Sequence, residues 1–314
     1  MKRVMKVMQL MIVMFICMYG FCCVSGRQSS AAKTYTYKMK EKKLGKVQGI
    51  EANLEYLDFS IKTSKKAYAY LSYEIPCKNN KNPFSYSVRD KVLYLKESGL
   101  KELSWKELIG MNEKKWTGKR KYYSVSYGPR VTLYLPPQSM IKTGHVNIKY
   151  GDFYLSAKNL QCQKMEIKLK DGDASIANTI IPGQMNINLT EGDLAAARCK
   201  ISGTARFHLQ DGDVAAKDLH ISGKTTVDTR NGDIIIKNIA VFGEMQVNTV
   251  NGDAYIQLRQ NSIKGLNITM DTKGDMTVKS TVKGGKKKRG KYRKTGKGKA
   301  NLRVKSNSGD IELK

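Results

Sequence analysis

The sequence predicts an all-β chain, a β-solenoid of ~20-residue Gly-Asp coils preceded by a Tyr-rich β lead-in domain. Three observations predict it. Gly-Asp recurs at positions 151, 172, 192, 212, 232, 252, 274 and 309, at intervals of 20 to 22 residues until the last, which stretches to 35. Apolar residues keep phase with each Gly: Leu194, Val214, Ile234 and Ala254 two residues on, Ile181, Ile201, Ile221 and Val241 nine on, and Ile187, Phe207, Val227 and Val247 fifteen on. Spacing by twos within each unit is the period of a strand, not a helix. A unit this small cannot bury its own apolar face, so the units must stack, about seven coils in all, with like residues superimposed ~4.8 Å apart.

Taken in chain order, residues 1–26 form a leader. Lys2, Arg3 and Lys6 precede an apolar run from Leu10 to Val24 that ends in Ser25-Gly26, the pattern of a secretory signal peptide or a short N-terminal membrane anchor. Residues 27–143 form the Tyr-rich lead-in, with alternating strands at Ala67–Tyr73, Val92–Leu95 and Val131–Leu135, and a short helix over Leu103–Ile109. Residues 144–314 carry the repeats, with a basic loop insertion at 284–299. A competing arrangement is an antiparallel meander, because Asn231-Gly232 and Asn251-Gly252 are also strong hairpin signals. A meander, however, does not demand a constant 20-residue phase.

Composition bounds the function. The chain has 314 residues, 56 Lys and Arg against 27 Asp and Glu, and a net charge of +29. Exported, it should meet anionic partners, an anionic cell-wall polymer or a lipid surface, rather than any specific nucleic acid. Six Cys, three of them in the leader, make no disulfide framework. Cys199 sits in the apolar column of Leu219 and Ile239, two coils beyond Cys162 and out of disulfide reach.

With Asn231-Gly232-Asp233-Ile234, Asn238-Ile239 and Gly243 as the clearest unit, repeated more loosely from Gly151 to Asp275 and once at Ser308-Gly309-Asp310-Ile311, the chain resembles the bacterial putative-adhesin family of β-strand-repeat envelope proteins. The segment Val131–Pro136 is similar to the one that enters such repeats. The resemblance implies an exported or membrane-attached solenoid and no catalytic residues.

Candidate sites follow from the same pattern. Asp173, Asp193, Asp213, Asp233 and Asp253 form a turn ladder, which could bind calcium or, more simply, accept hydrogen bonds from turn N–H groups. One or two carboxylates per coil are few for calcium. Lys286, Lys287, Lys288, Arg289, Lys291, Arg293, Lys294, Lys297 and Lys299, interspersed with Gly, read as a flexible loop able to hold anionic polymer, or as a solvated charge run. A basic and aromatic segment from Lys114 to Arg130 offers stacking or plain strand packing. His145, His208 and His220 are scattered, and no metal or cofactor is expected. The expected function is therefore a non-enzymatic cell-envelope scaffold or adhesin, secreted or anchored. The alternative is a polysaccharide-active β-helix hydrolase or lyase, which needs converging carboxylates. The last unit, Gly309 to Lys314, reads as an open sheet edge through which copies could self-associate.

Overall fold

The computed structural model describes residues 35–77, 82–98, 100, 111–114, 122–125, 129–273, 277–288 and 290–314. The leader and the expected helix at Leu103–Ile109 lie outside them. Among the described residues no helix is long and apolar enough to cross a membrane.

In chain order the strands are β1 (Tyr35–Lys43), β2 (Gly49–Leu54), β3 (Asp58–Thr63), β4 (Tyr70–Cys77), β5 (Phe84–Arg89), β6 (Val92–Glu97), β7 (Met111–Lys114), β8 (Tyr122–Val125) and β9 (Arg130–Leu135). The repeats supply β10 (Met140–Ile141), β11 (Thr143–Ile148), β12 (Phe153–Cys162), β13 (Lys164–Asp171), β14 (Ala174–Ile181), β15 (Gln184–Glu191), β16 (Leu194–Ala197), β17 (Lys200–Ile201), β18 (Thr204–Asp211), β19 (Val214–Lys217), β20 (His220–Ile221), β21 (Lys224–Asn231), β22 (Ile234–Val241), β23 (Glu244–Asn251) and β24 (Ala254–Leu258). A four-residue helix, α1 (Gln260–Ile263), interrupts the pattern, followed by β25 (Asn267–Thr272), β26 (Val278–Ser280), β27 (Lys286–Lys288), β28 (Lys291–Lys294), β29 (Asn301–Ser308) and β30 (Ile311–Leu313).

All strands but β7 and β8, which pair antiparallel with each other, form two large sheets, one of 15 strands and one of 13. Each 20-residue unit contributes to both sheets, its part of the 15-stranded sheet broken in two at β16–β17 and β19–β20, and neighbouring units pair in parallel with like positions in register. Ile187 lies beside Phe207, Phe207 beside Val227, and Val227 beside Val247. The antiparallel meander is excluded for the repeats by this direction of pairing. Inward columns from both sheets bury almost completely, including Ile181, Ile201, Ile221 and Val241. Phe207, among the largest of these side chains, belongs to a unit whose other inward residues include Ala196 and Ala205, so the sequence offsets bulk with small neighbours.

Two local devices shape each coil. Asn178, Arg198, Asp218 and Asn238 all take left-handed φ between 52° and 57°. They place a bulge in the 15-stranded sheet that turns the next residue, Thr179, Cys199, Leu219 or Ile239, into the core. Asn accepts that conformation readily, which is why the unit carries Asn before an apolar residue. At the Gly-Asp turn, Gly212 has φ +151° and a Cβ there would lie 2.0 Å from the carbonyl oxygen of Gly192, so both conformation and stacking require glycine.

The order of coils in space departs from their order in sequence at both ends. β2 and β3 pair with β11 and β12, while β6 and β9 stack on the far side of β2 and β3. The chain thus leaves the first coil after β3, builds an outer coil, and returns at β10 to complete what it left. At the other end β29 and β30 enter between β23 and β24 on one side and β25 and β26 on the other. The stack accordingly holds ten parallel levels in each sheet, two from the lead-in (β6 and β9, β2 and β3) and eight from the repeats, one more than the seven or so their period suggests. Region 27–143 contributes strands to the same two sheets as the repeats.

The last unit is therefore not an open edge: Gly309 to Lys314 is an interior level. Three of the four edges of the two large sheets are antiparallel additions, β4 and β1 on one sheet and β5 on the other at the N-terminal end, and the β27–β28 hairpin on the 13-stranded sheet at the C-terminal end, where the 15-stranded sheet finishes with the short parallel strand β26. Strand β27 is three exposed lysines, the type of edge that discourages further pairing.

Candidate functional site

The Gly-Asp turns stack into one continuous hydrogen-bonded ladder. Oδ1 of Asp58 accepts the backbone N–H of Asp152 at 3.0 Å, Asp152 accepts from Asp173 at 2.8 Å, Asp173 from Asp193 at 2.8 Å, and Asp193 from Asp213 at 2.8 Å. Asp213 then accepts from Asp233 at 2.7 Å, Asp233 from Asp253 at 2.7 Å, Asp253 from Asp310 at 2.8 Å, and Asp310 from the N–H of Thr277 at 2.8 Å. Asp58, which follows Leu57 and not a glycine, begins the ladder, and sequence periodicity alone misses it. Asp275 lies outside the described residues.

The same turns are held from the opposite sheet. Hydroxyls of Thr229, Thr249 and Ser306, all buried, donate to the carbonyls of Gly212, Gly232 and Gly252 at 3.0, 3.2 and 3.1 Å. Burial pushes the carboxyls of Asp173 and Asp213 upward, against the pull of the N–H each accepts, and like-charged neighbours add to the rise. At Asp58 the same burial raises the pKa to about 7. The ladder commits one oxygen of each carboxylate, Oδ1, to a backbone hydrogen bond, which is a structural use of carboxylates. Among the described residues no three His, Cys, Asp or Glu side chains group in a way that would hold a metal ion.

Glu97, at the end of β6, accepts the N–H groups of Glu55, Tyr56 and Leu57 at 2.8, 2.9 and 3.1 Å. It supports the turn between β2 and β3, and burial raises its pKa despite the three donors. The thiols of Cys162 and Cys199 are free and buried, and burial raises them to about 12 and about 11. Neither is a nucleophile at neutral pH.

The basic insertion is partly folded, contrary to the flexible loop its composition suggests. β28 pairs antiparallel with β25, and β27 with β28. Alternation along Lys291-Tyr292-Arg293-Lys294 turns Tyr292 and Lys294 inward and leaves Lys291 and Arg293 exposed. The Tyr292 hydroxyl donates to the carbonyl of Val282 at 2.8 Å. Lys294 Nζ donates to the carbonyls of Ile263 and Leu266 at 2.9 and 3.1 Å, closing the end of α1. Lys294 is thus withdrawn from any ligand. Lys286, Lys287, Lys288, Lys291, Arg293, Lys297 and Lys299 remain exposed, with Lys291 3.6 Å from Asp271. Arg289 lies outside the described residues.

Of the second basic segment, residues 115–121 and 126–128 lie outside the described residues. Arg130 sits 3.5 Å from Glu74. A shallow, open groove of about 540 Å³ crosses the outer face of the 13-stranded sheet, where Tyr94, Glu51, Asn53, His145, Asn147 and Glu166 meet. These residues stand in no linear motif, only at successive levels of the stack. Glu166 is 2.7 Å from Lys168 and 3.6 Å from His145, and the hydrogen bond to Lys168 lowers its pKa, so it stays ionised.

Several solved structures are similar to this chain. The crystal structure of a "putative adhesin" from Bacteroides fragilis NCTC 9343 is 13% identical, with 90% of this chain and 98% of that chain covered and a TM-score of 0.48. That of a "putative lipid binding protein" from Parabacteroides distasonis ATCC 8503 is 16% identical, with 90% and 96% covered and a TM-score of 0.38. That of a "putative adhesin" from Parabacteroides merdae ATCC 43184 is 12% identical, with 90% and 96% covered and a TM-score of 0.35. No curated protein matches the sequence. The sequence profile of the Toastrack DUF4097 family matches residues 112–314, which take in every coil from β10 onward, and the chain therefore belongs to that family.

Proposed function

We propose that this protein is a non-enzymatic, extracytoplasmic β-solenoid scaffold or adhesin that holds phosphate-bearing polymer at the cell envelope through its C-terminal basic hairpin. The observation that carries the reading is the set of seven exposed cations on and around β27 and β28, fixed on a folded end of the stack. A cation near a surface rich in phosphate contributes about 1 kcal/mol, and the contribution falls as salt screens it. The leader, read from residues 1–26, supports export. The use of a ladder oxygen on each backbone N–H supports a scaffold over a hydrolase, which needs two carboxyls converging on a substrate cleft.

Deleting Lys286–Lys299 is the wrong test, because it strips β28 from β25 and removes buried Tyr292 and Lys294. Charge reversal at Lys286, Lys287, Lys288, Lys297 and Lys299 keeps the hairpin and its charged edge. Co-sedimentation with a glycerol-phosphate wall polymer at low salt should fall by about tenfold in affinity on reversal. Wild-type retention should also decline as salt rises. Equal retention by the reversed protein would refute the reading.

A further inference from the structure

Among the described residues, positive charge is concentrated at the two ends of the stack. Those within 35–150 hold 15 Lys and Arg against 8 Asp and Glu, a net of +7. Residues 151–258 hold 11 against 13, a net of −2, and the described residues within 259–314 hold 16 against 3, a net of +13. Topology converts this sequence pattern into an axial one. Strands β1 to β6 and β9 occupy one end of the two sheets, β12 to β24 the middle, and β25 to β30 the other end.

At the N-terminal end the outermost strand of the 15-stranded sheet is β1, where Lys40, Lys42 and Lys43 are exposed. Lys46 and Lys65 are exposed on adjoining connections. Lys38 and Lys66 belong to the same end but are paired with Glu74 and Glu41. Lys43 Nζ lies 4.9 Å from the ring centre of Tyr68, which fixes a cation against an aromatic face. This end is thus a cationic edge strand in its own right, built independently of the hairpin at the opposite end.

The intervening levels separate the two ends by roughly 30 Å at ~4.8 Å per level. That distance is several times the ~8 Å over which charges feel each other at physiological ionic strength. The ends therefore act as separate sites, with a near-neutral body between them.

We infer that the N-terminal cap is a second phosphate-binding end, and that the rod bridges two phosphate-bearing polyanionic surfaces, one at each end. The second arm of the bridge rests on the reading of the C-terminal hairpin given above. Binding alone does not require two ends; joining two surfaces does.

The test separates binding from bridging. The probes are vesicles of phosphatidylglycerol in phosphatidylcholine, vesicles of phosphatidylcholine alone, and a soluble glycerol-phosphate polymer. Sedimentation reads binding, and light scattering reads clustering. One variant reverses the N-terminal end (Lys40→Glu, Lys42→Glu, Lys43→Glu, Lys65→Glu) and the other reverses the C-terminal five named above. Thermal unfolding checks that both remain folded.

The wild type should cluster anionic vesicles or polymer and leave the neutral vesicles dispersed. Each variant should still bind, within about tenfold of wild type, yet fail to cluster. Clustering of vesicles alone marks lipid headgroups as the phosphate source, and clustering of polymer alone marks the wall polymer; both support the bridge. Wild-type binding without clustering overturns it, as does clustering by the N-terminal variant at the wild-type level. If the C-terminal variant loses all binding, the bridge fails while the hairpin reading stands. If that variant binds and clusters like wild type, the hairpin reading fails, and the bridge fails with it.

Discussion

The carboxylate of Asp193 accepts the backbone N–H of Asp213 at 2.8 Å, and Asp213 in turn accepts that of Asp233 at 2.7 Å. Each Asp thus closes the turn of the next coil, not its own. Replacing Asp213 by Ala leaves the half-buried N–H of Asp233 without its acceptor and should cost about 1–3 kcal/mol. Asp213→Asn keeps an oxygen in place and should cost less than about 1 kcal/mol. Denaturant unfolding of the two variants measures the difference, and equal losses would show that the ladder bond itself contributes nothing.

Acidity of Asp58 sets a pH dependence with a definite sign. Its folded pKa, about 7, lies above the ordinary carboxyl value of 3.8, so the folded state holds a proton that the unfolded state has released between those values. That contribution to stability is present in full below pH ~4 and is lost as pH rises through 7. Asp58→Asn, which is neutral at every pH and still accepts the N–H of Asp152, should flatten this part of the stability profile. It should be as stable as wild type or more so at pH 8. A profile for Asp58→Asn that falls as steeply as the wild type's between pH 4 and 7 would contradict this account.

Glycine at the turn ladder is a steric requirement. Gly212→Ala places a Cβ 2.0 Å from the Gly192 carbonyl oxygen and strains a φ of +151°, so a loss of more than about 3 kcal/mol is expected. Gly45→Ala, where nothing stands within 4 Å, should be within about 0.5 kcal/mol of wild type. Comparing the unfolding midpoints of the two variants tests whether stacking distance, and not glycine as such, carries the effect.

Arg198 occupies the left-handed position that Asn178 and Asn238 fill in other coils. Its Nε–H donates to Oδ1 of Asn178 at 2.8 Å, an exposed bond that offsets part of the backbone cost. Arg198→Asn should stabilise by about 0.5–1 kcal/mol, read as a higher unfolding midpoint. A lower midpoint would mean that the guanidinium bond outweighs the strain.

The repeat period was readable because each coil must present the same inward residues to its neighbours, which fixes Ile181, Ile201, Ile221 and Val241 at one spacing. The turn role of the Asp residues followed from the same logic. Coil order at the ends was not readable. β2–β3 and β6–β9 carry no Gly-Asp, and nothing local tells Asn301–Leu313 to pair with Glu244–Leu258 rather than with the nearer Asn267–Ser280 alone. The hairpin was hidden for a different reason. Its charge density suggests a solvated loop, whereas one buried Tyr and one lysine capping two carbonyls are enough to fold it; the alternation at Lys291–Lys294 was the available signal.

Because β29 and β30 sit between coils that precede them in the sequence, residues 301–313 are a keystone. The arch they close cannot be assembled in the order of synthesis, since its two flanking courses must wait, unjoined, until this segment arrives. Removing these residues would therefore take a course from inside the wall and detach everything laid beyond it, rather than shorten the rod by one layer.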